Sequence, residues 1–251
     1  MAGKMRLDKA LVERGLLQTR ERAQAMILAG RVLVDEQKVQ KPGVAINDGA
    51  TLRLLGNDLR YVGRGGLKLE AALAHWNIDL TGRFAMDVGA STGGFTDCML
   101  QHGAARIVAV DTGYGQIAHS LRIDPRVELR ERTNARYLEP GSLPPGISFL
   151  AMDVSFISAT LVLPPVVAAI RHGGAAAAPL REAVVLVKPQ FEAGREHIGK
   201  GGIVRDPAAH QLAIDRVRAC VERLGVSSTG LIDSPILGTE GNHEFLLLCR
   251  F

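Results

Sequence analysis

The segment Phe84-Ala-Met-Asp-Val-Gly-Ala-Ser-Thr-Gly-Gly-Phe-Thr-Asp97 decides the fold. It reads as an apolar strand closing on Asp87 and Val88, then a glycine-rich turn, then the start of a helix. Glycines at such a turn let backbone approach a ligand closely. Working outward, further apolar runs recur at Ile107–Asp111, Ile147–Asp153 and Ala183–Lys188. They predict buried parallel strands covered on both faces. Between Ala208 and Leu224 the residues Ala213, Val217, Cys220, Val221 and Leu224 follow a helical period, with Asp206-Pro207 as start and Gly225 as stop. Strands alternating with helices predict a doubly wound α/β fold, Rossmann-like, with a mostly parallel sheet. The stretch His172–Pro179 has little to bury and is expected to be a surface connection.

The turn also constrains the ligand. The dinucleotide fingerprint G-x-G-x-x-G fails because Ser91 takes the second glycine position, which disfavours a NAD-dependent oxidoreductase. Asp111 lies 24 residues beyond Asp87, close to the ~20 expected of an acid that binds ribose hydroxyls. An adenosine without pyrophosphate needs such a carboxylate and room for a charged amino acid, which is the pattern of S-adenosylmethionine (SAM) methyltransferases. The expected SAM-binding residues are Asp87, Gly89, Ser91, Gly93, Gly94 and Asp111, with Asn134 near the adenine. A plain α/β turn is the competing reading.

Charge divides the chain. Of 30 Lys and Arg, 11 lie in residues 1–60, against 7 of the 26 Asp and Glu, so this piece carries +4 and the remainder is neutral. A basic module on a neutral body suggests a docking part and a working part. Leu7, Ala10 and Leu11, then Ala23, Met26 and Ile27, have helical spacing, with Thr19 as cap and Gly15 and Gly30 as stops. Arg6 and Lys9 are placed on one helical face. Val32/Val34, Val44/Ile46 and Leu52/Leu54 alternate as short strands, giving a small α+β domain. Arg6–Leu11, Thr19–Ala23, Gly30–Val34 and Val39–Pro42 resemble the alpha-L RNA-binding motif of the ribosomal protein S-four family. The resemblance implies RNA contacts by Arg6, Lys9, Arg20, Arg22 and Arg31, with Arg64 added beyond the module. Asp35-Glu36 departs from the family's Asn-Gly, a less favourable hairpin turn.

Four polar residues stand at element ends: Lys68 in a helix backed by Leu69, Ala72, Leu73 and Trp76, Asp153 and Lys188 closing strands, and Glu244 before Phe245-Leu-Leu-Leu. Taken singly, each reads as a solvated end. In this order they match the Lys-Asp-Lys-Glu tetrad of FtsJ-type ribose 2′-O-methyltransferases. Tyr61–Leu69, Asp87–Asp97, Ala151–Ile157, Val187–Glu192 and Gly241–Phe245 resemble the TlyA family, also called haemolysin A. That resemblance implies domains at 1–58 (RNA-binding), 59–65 (linker) and 66–251 (FtsJ-like methyltransferase), and SAM-dependent 2′-O-methylation of cytidine in ribosomal RNA. It assigns Lys188 as base, Asp153 as its orienter, and Lys68 and Glu244 as partners. A lysine acts as base when desolvation and neighbouring cations favour its neutral form, and Lys68 is the expected neighbour.

Only Met1 to Met5 precede the first helix signal and seven residues follow Glu244. The family's shorter form, restricted to the large subunit, is therefore expected. The basic, glycine-rich stretch Gly194–Arg205 is expected to be a mobile loop that touches RNA, or else a plain surface loop. Alternatives are a membrane-active haemolysin and a non-catalytic ribosome assembly factor. The amino terminus lacks an apolar signal region, and Leu150–Ile170 carries Asp153 and Pro164-Pro165, unlike a membrane span. Cys98, Cys220 and Cys249 are too scattered for a disulfide framework or zinc site. A cytoplasmic enzyme without a metal is the expectation.

Overall fold

The computed structural model describes residues 4–17, 19–55, 60–172, 179–238 and 241–251. The expected connection at His172–Pro179 therefore lies mostly outside the described residues. The chain divides into two units, Met1–Val62 and Gly63–Phe251, and the break falls inside the stretch expected to link two domains.

In the first unit, β1 (Lys4–Arg6) leads directly into α1 (Leu7–Glu13), followed by α2 (Arg20–Leu28). Thr19 caps α2 by accepting the Arg22 N–H at 3.2 Å. The chain continues through β2 (Val32–Val34), β3 (Gln37–Lys38), β4 (Ala45–Asn47) and β5 (Leu52–Leu54). β1 pairs antiparallel with β4, and β2 lies between β3 and β5 in a second antiparallel sheet. Leu7, Leu11, Met26, Ile27 and Val32 are fully buried in a small core.

Two features of this unit differ from the sequence reading. Arg6 is not on the helical face with Lys9; it ends β1 as the N-cap residue of α1. There it holds Asp8, which also takes Arg20 and Gln24 at 3.0 Å each. Asp8 is fully buried, so these contacts stitch β1, α1 and α2 together. At the hairpin, Asp35 and Glu36 both take the positive φ that a two-residue type I′ turn demands. Asp35 accepts the Thr51 N–H at 2.8 Å and Glu36 pairs with Arg53. These partners offset the strain that Asn-Gly would avoid.

The second unit runs α3 (Gly65–Trp76), β6 (Phe84–Val88), α4 (Gly94–Gln101), β7 (Arg106–Val110), α5 (His119–Arg122), β8 (Val127–Arg130), β9 (Phe149–Met152), α6 (Ala159–Arg171), β10 (Glu182–Val187), α7 (Pro189–Glu192), α8 (Pro207–Arg223), β11 (Ser228–Asp233) and β12 (Phe245–Arg250). Seven strands form one sheet in the order β11-β12-β10-β9-β6-β7-β8. All neighbouring pairs are parallel except those of β12, which is antiparallel to both β10 and β11. The order reverses between β6 and β9. A crevice forms outside the carboxyl ends of strands at such a reversal.

The edge strands β8 and β11 were not read from the sequence. β8 is half-buried along its length and β11 nearly so, which leaves no apolar run. α6 was not read from the sequence, and Pro164 and Pro165 both lie inside it. Pro164 cannot donate to the Thr160 carbonyl, which instead faces the Cys220 thiol at 3.7 Å. Buried Val162, Leu163, Val166 and Val167 give this helix its hold on the sheet. Cys98, Cys220 and Cys249 are buried and free.

Candidate active site

The glycine-rich turn follows β6 and packs against the chain leaving the neighbouring strand β9. Gly89 has φ +88°, and a Cβ there would stand 2.2 Å from the Asp153 carbonyl oxygen. Only glycine permits this approach. Ser91 occupies a left-handed conformation, φ 50°, and its N–H donates to Asp111 Oδ2 at 2.7 Å. Gly113 N–H donates to Asp111 Oδ1 at 2.6 Å. Asp111, just past β7, thereby braces the turn while each oxygen keeps a lone pair for a ligand.

A cavity of about 320 Å³ opens here, within the ordinary range for small-molecule sites. Gly89, Ser91, Asp111, Asn134 and Asp153 are among its lining residues. Gly94 lines a smaller neighbouring cavity, and Gly93 lines none of the described cavities. Gly93 serves the turn instead, with φ +97° at the N-cap of α4.

Asp87 is placed differently from expectation. It is fully buried and lines none of these cavities. Its Oδ2 accepts the Thr96 hydroxyl at 2.6 Å, and its Oδ1 has no partner. Burial pushes the carboxyl up to about 7, against the Thr96 hydrogen bond and helped by the charges of Asp153 and Asp111. Asp87 therefore acts on the site from beneath, by anchoring the first turn of α4.

The four element-end residues converge. Lys68, Asp153, Lys188 and Glu244 all line one cavity of about 260 Å³, together with Arg64. This cavity shares Gly89, Ser91, Asp153 and Ser155 with the first. Lys68 and Glu244, 176 residues apart, form a buried pair at 2.5 Å. Lys68, the expected neighbouring cation of Lys188, thus has its charge balanced by Glu244. Lys188 Nζ lies 2.7 Å from Asp153 Oδ1. That contact is an ion pair out of line for a hydrogen bond, since Oδ1 has no hydrogen-bond partner. The aligned acceptor for Lys188 is the Ser155 hydroxyl at 2.7 Å, a residue the sequence reading missed. It lies inside the Ala151–Ile157 stretch that carries the family resemblance, which is the signal that could have flagged it.

A third cavity, about 300 Å³, borders Lys188 and Glu244 and is lined by Phe156, Gln190 and Phe191. Phe156 is 93 % exposed, with left-handed backbone at φ 63°, and its ring lies 5.5 Å from Phe191. The carboxyl end of the stretch Gly194–Arg205 is tied to Asn242. Asn242, buried, accepts the Val204 N–H and donates to the Gly202 carbonyl, both at 3.0 Å. Among the RNA candidates, Arg6 and Arg20 are held on Asp8, Lys9 is exposed, Arg22 and Arg31 are partly exposed, and Arg64 is exposed at the N-cap of α3. No cluster of metal-ligand side chains occurs among the described residues.

The donor set fits SAM. Asp111 offers carboxylate to ribose hydroxyls at one end of the first cavity. Asp153 lines the same cavity and offers negative charge that suits a cationic amino acid and sulfonium. The fold and this paired-cavity site define an α/β methyltransferase of the SAM-dependent class. Comparison with known proteins gives the family. The chain belongs to the FtsJ-like methyltransferase family, which matches residues 61–251, and residues 5–52 match the S4 domain. A 16S/23S rRNA (cytidine-2′-O)-methyltransferase, TlyA, of Mycobacterium tuberculosis is 42% identical over 251 residues, 100% of this chain and 91% of that protein. A 23S rRNA (cytidine-2′-O)-methyltransferase, TlyA, of Campylobacter jejuni is 32% identical over 211 residues, 83% of this chain and 78% of that protein. A solved structure from Streptococcus thermophilus, described as a candidate hemolysin, is 44% identical with TM-score 0.72, covering 100% of this chain and 90% of the other.

Proposed function

We propose that this protein methylates the 2′-hydroxyl of a cytidine ribose in ribosomal RNA, with SAM as methyl donor. The observation that carries the reading is the convergence of Lys68, Asp153, Lys188 and Glu244 on one cavity that shares a wall with the cofactor cavity. A ribose hydroxyl is a poor nucleophile near neutral pH and needs a base aligned with the methyl group. Bound SAM supplies that methyl group on a sulfonium. Lys188 takes the hydroxyl proton, Asp153 supplies compensating charge, and the Lys68–Glu244 pair fixes the far wall. Asp111, Gly89, Ser91 and Asn134 hold the cofactor, with Gly93, Gly94 and Asp87 shaping the turn. The cavity between Phe156, Phe191 and Gln190 gives the target base a place beside its ribose.

The first unit is the docking part, through Arg6, Lys9, Arg20, Arg22 and Arg31, with Arg64 guarding the entry to the tetrad. Its arginines meet phosphates and RNA shape rather than base edges. Large-subunit RNA is the favoured target, because 23S RNA is the substrate named for both TlyA relatives above. A cytoplasmic location follows from that substrate. A membrane-active role has no support in the described residues, none of whose helices is long and apolar enough to cross a membrane.

The test is methyl incorporation into separately purified, undermethylated small and large ribosomal subunits, followed by mapping of 2′-O-methyl sites. Labelling of a cytidine ribose in the large subunit is expected. Labelling of the small subunit alone would overturn the subunit preference, and labelling of neither would overturn the activity.

A further inference from the structure

Lys188 is held by two groups of different kinds. Asp153 brings negative charge to 2.7 Å but is out of line for a hydrogen bond. Ser155 Oγ, also at 2.7 Å, is aligned and accepts from Nζ. The Phe191 ring, 6.0 Å from Nζ, adds only a diffuse attraction. Charge sets how strongly a side chain is held, whereas an aligned hydrogen bond sets where its protons and lone pair point. On this geometry the direction of Nζ depends on Ser155. Ser155 is also the residue that lines all three cavities: the cofactor cavity, the tetrad cavity and the cavity between Phe156 and Phe191.

We infer that Ser155 is a fifth member of the site, a positioning residue that aims Lys188 at the ribose hydroxyl. This rests on the activity proposed above. In its proton-accepting form an amine has two N–H bonds and one lone pair. One N–H committed to Ser155, with Asp153 beside the second, leaves the lone pair for the cavity that Lys188 shares with Lys68 and Glu244. The step then balances. The ribose O–H bond breaks and its proton goes to the Lys188 nitrogen. The ribose oxygen forms a bond to the methyl carbon as the carbon–sulfur bond breaks, leaving that electron pair on sulfur. Without the Ser155 hydroxyl, Lys188 keeps its counter-charge and loses its aim.

The experiment compares full-length wild type, Ser155→Ala and Ser155→Thr on undermethylated ribosomal subunits, with SAM affinity measured by calorimetry. Ser155→Ala is expected to lower single-turnover rate by about tenfold or more, the scale of one hydrogen bond to a charged group. KM for RNA and affinity for SAM should change much less than the rate, because the Ser155 hydroxyl, though it borders the cavities, is committed to Lys188. Ser155→Thr, which keeps a hydroxyl, should recover most of the rate. In a crystal structure of Ser155→Ala, Nζ should occupy more than one position. An alanine variant with wild-type rate, or a rate loss matched by loss of SAM affinity, would overturn the inference. So would failure of threonine to rescue in a variant that melts like wild type. Absence of transfer by the wild type itself would instead overturn the proposed activity.

Discussion

At the scale of single residues, the site separates groups that do chemistry from groups that hold it in place. Lys188→Ala removes the proposed base, so methyl transfer should fall by at least ~10², the usual contribution of a positioned base. SAM and RNA affinity should survive, as single-turnover and equilibrium binding assays can show together. Asp111→Ala removes both the proposed ribose partner and the brace on Ser91 and Gly113. SAM binding should weaken by about 1–3 kcal/mol, and unchanged affinity in calorimetry would refute the placement. Asp87 governs stability through its proton. Its carboxyl, raised to about 7, compares with ~3.9 in an unfolded chain. Below pH about 4 both states hold the proton. Between pH about 4 and 7 only the folded state does, so stability falls as pH rises. Above that range the penalty is complete, roughly 4 kcal/mol. Asp87→Asn has no proton to lose. Its stability relative to wild type should therefore improve by that order between pH 4 and 8 in denaturant melts. A pH-independent difference would show that Asp87 is not the titrating group.

At the scale of elements, Asp8 illustrates how a short domain holds together. Its carboxylate is kept well below the usual range, chiefly by the Arg6 hydrogen bond and then by Gln24 and Arg20, against the cost of burial. Its contribution is thus present above pH about 4 and lost as pH falls through the folded value. Asp8→Ala should cost the first unit roughly 2–3 kcal/mol, the loss of charge-assisted bonds among buried groups. An unchanged melting midpoint for that unit would contradict this. Arg6 was misplaced in the sequence reading because β1 is three residues long and has no alternation to detect. The central strands were legible because continuous apolar runs leave few alternatives. β8 was not, since an edge strand with Glu128 and Arg130 facing partial solvent reads as a loop. Nor was α6, whose prolines forbid a helix by local rules that burial overrides. The tetrad could be read because its order along the chain, and not any one position, matches the FtsJ-type pattern. The resemblance put Asp153 beside Lys188, but the Lys68–Glu244 ion pair and the Ser155 contact could not be read, because only the folded arrangement of α3, β10 and β12 brings those residues together.

At the scale of the whole molecule, the basic excess of residues 1–60 and the neutral remainder assign affinity and chemistry to different units. Testing this requires substitutions that remove charge without unfolding the first unit. Arg6 and Arg20 are poor choices because they also hold Asp8. Lys9 is exposed, and Arg31 follows α2 without touching Asp8. Each phosphate contact releases counterions, contributing about 0.7–0.9 to the slope of log affinity against log salt. Lys9→Ala with Arg31→Ala should therefore flatten that slope by about 1.5 for ribosomal RNA, while the single-turnover rate at saturating RNA stays near wild type. Lys188→Ala should do the reverse, holding the salt slope and losing the rate. If the double variant keeps the full slope, the first unit does not supply the phosphate contacts and docking must fall to the basic residues of the second. If it loses rate at saturation instead, the two units are not divided between binding and catalysis, and the charge partition in the sequence has no functional meaning.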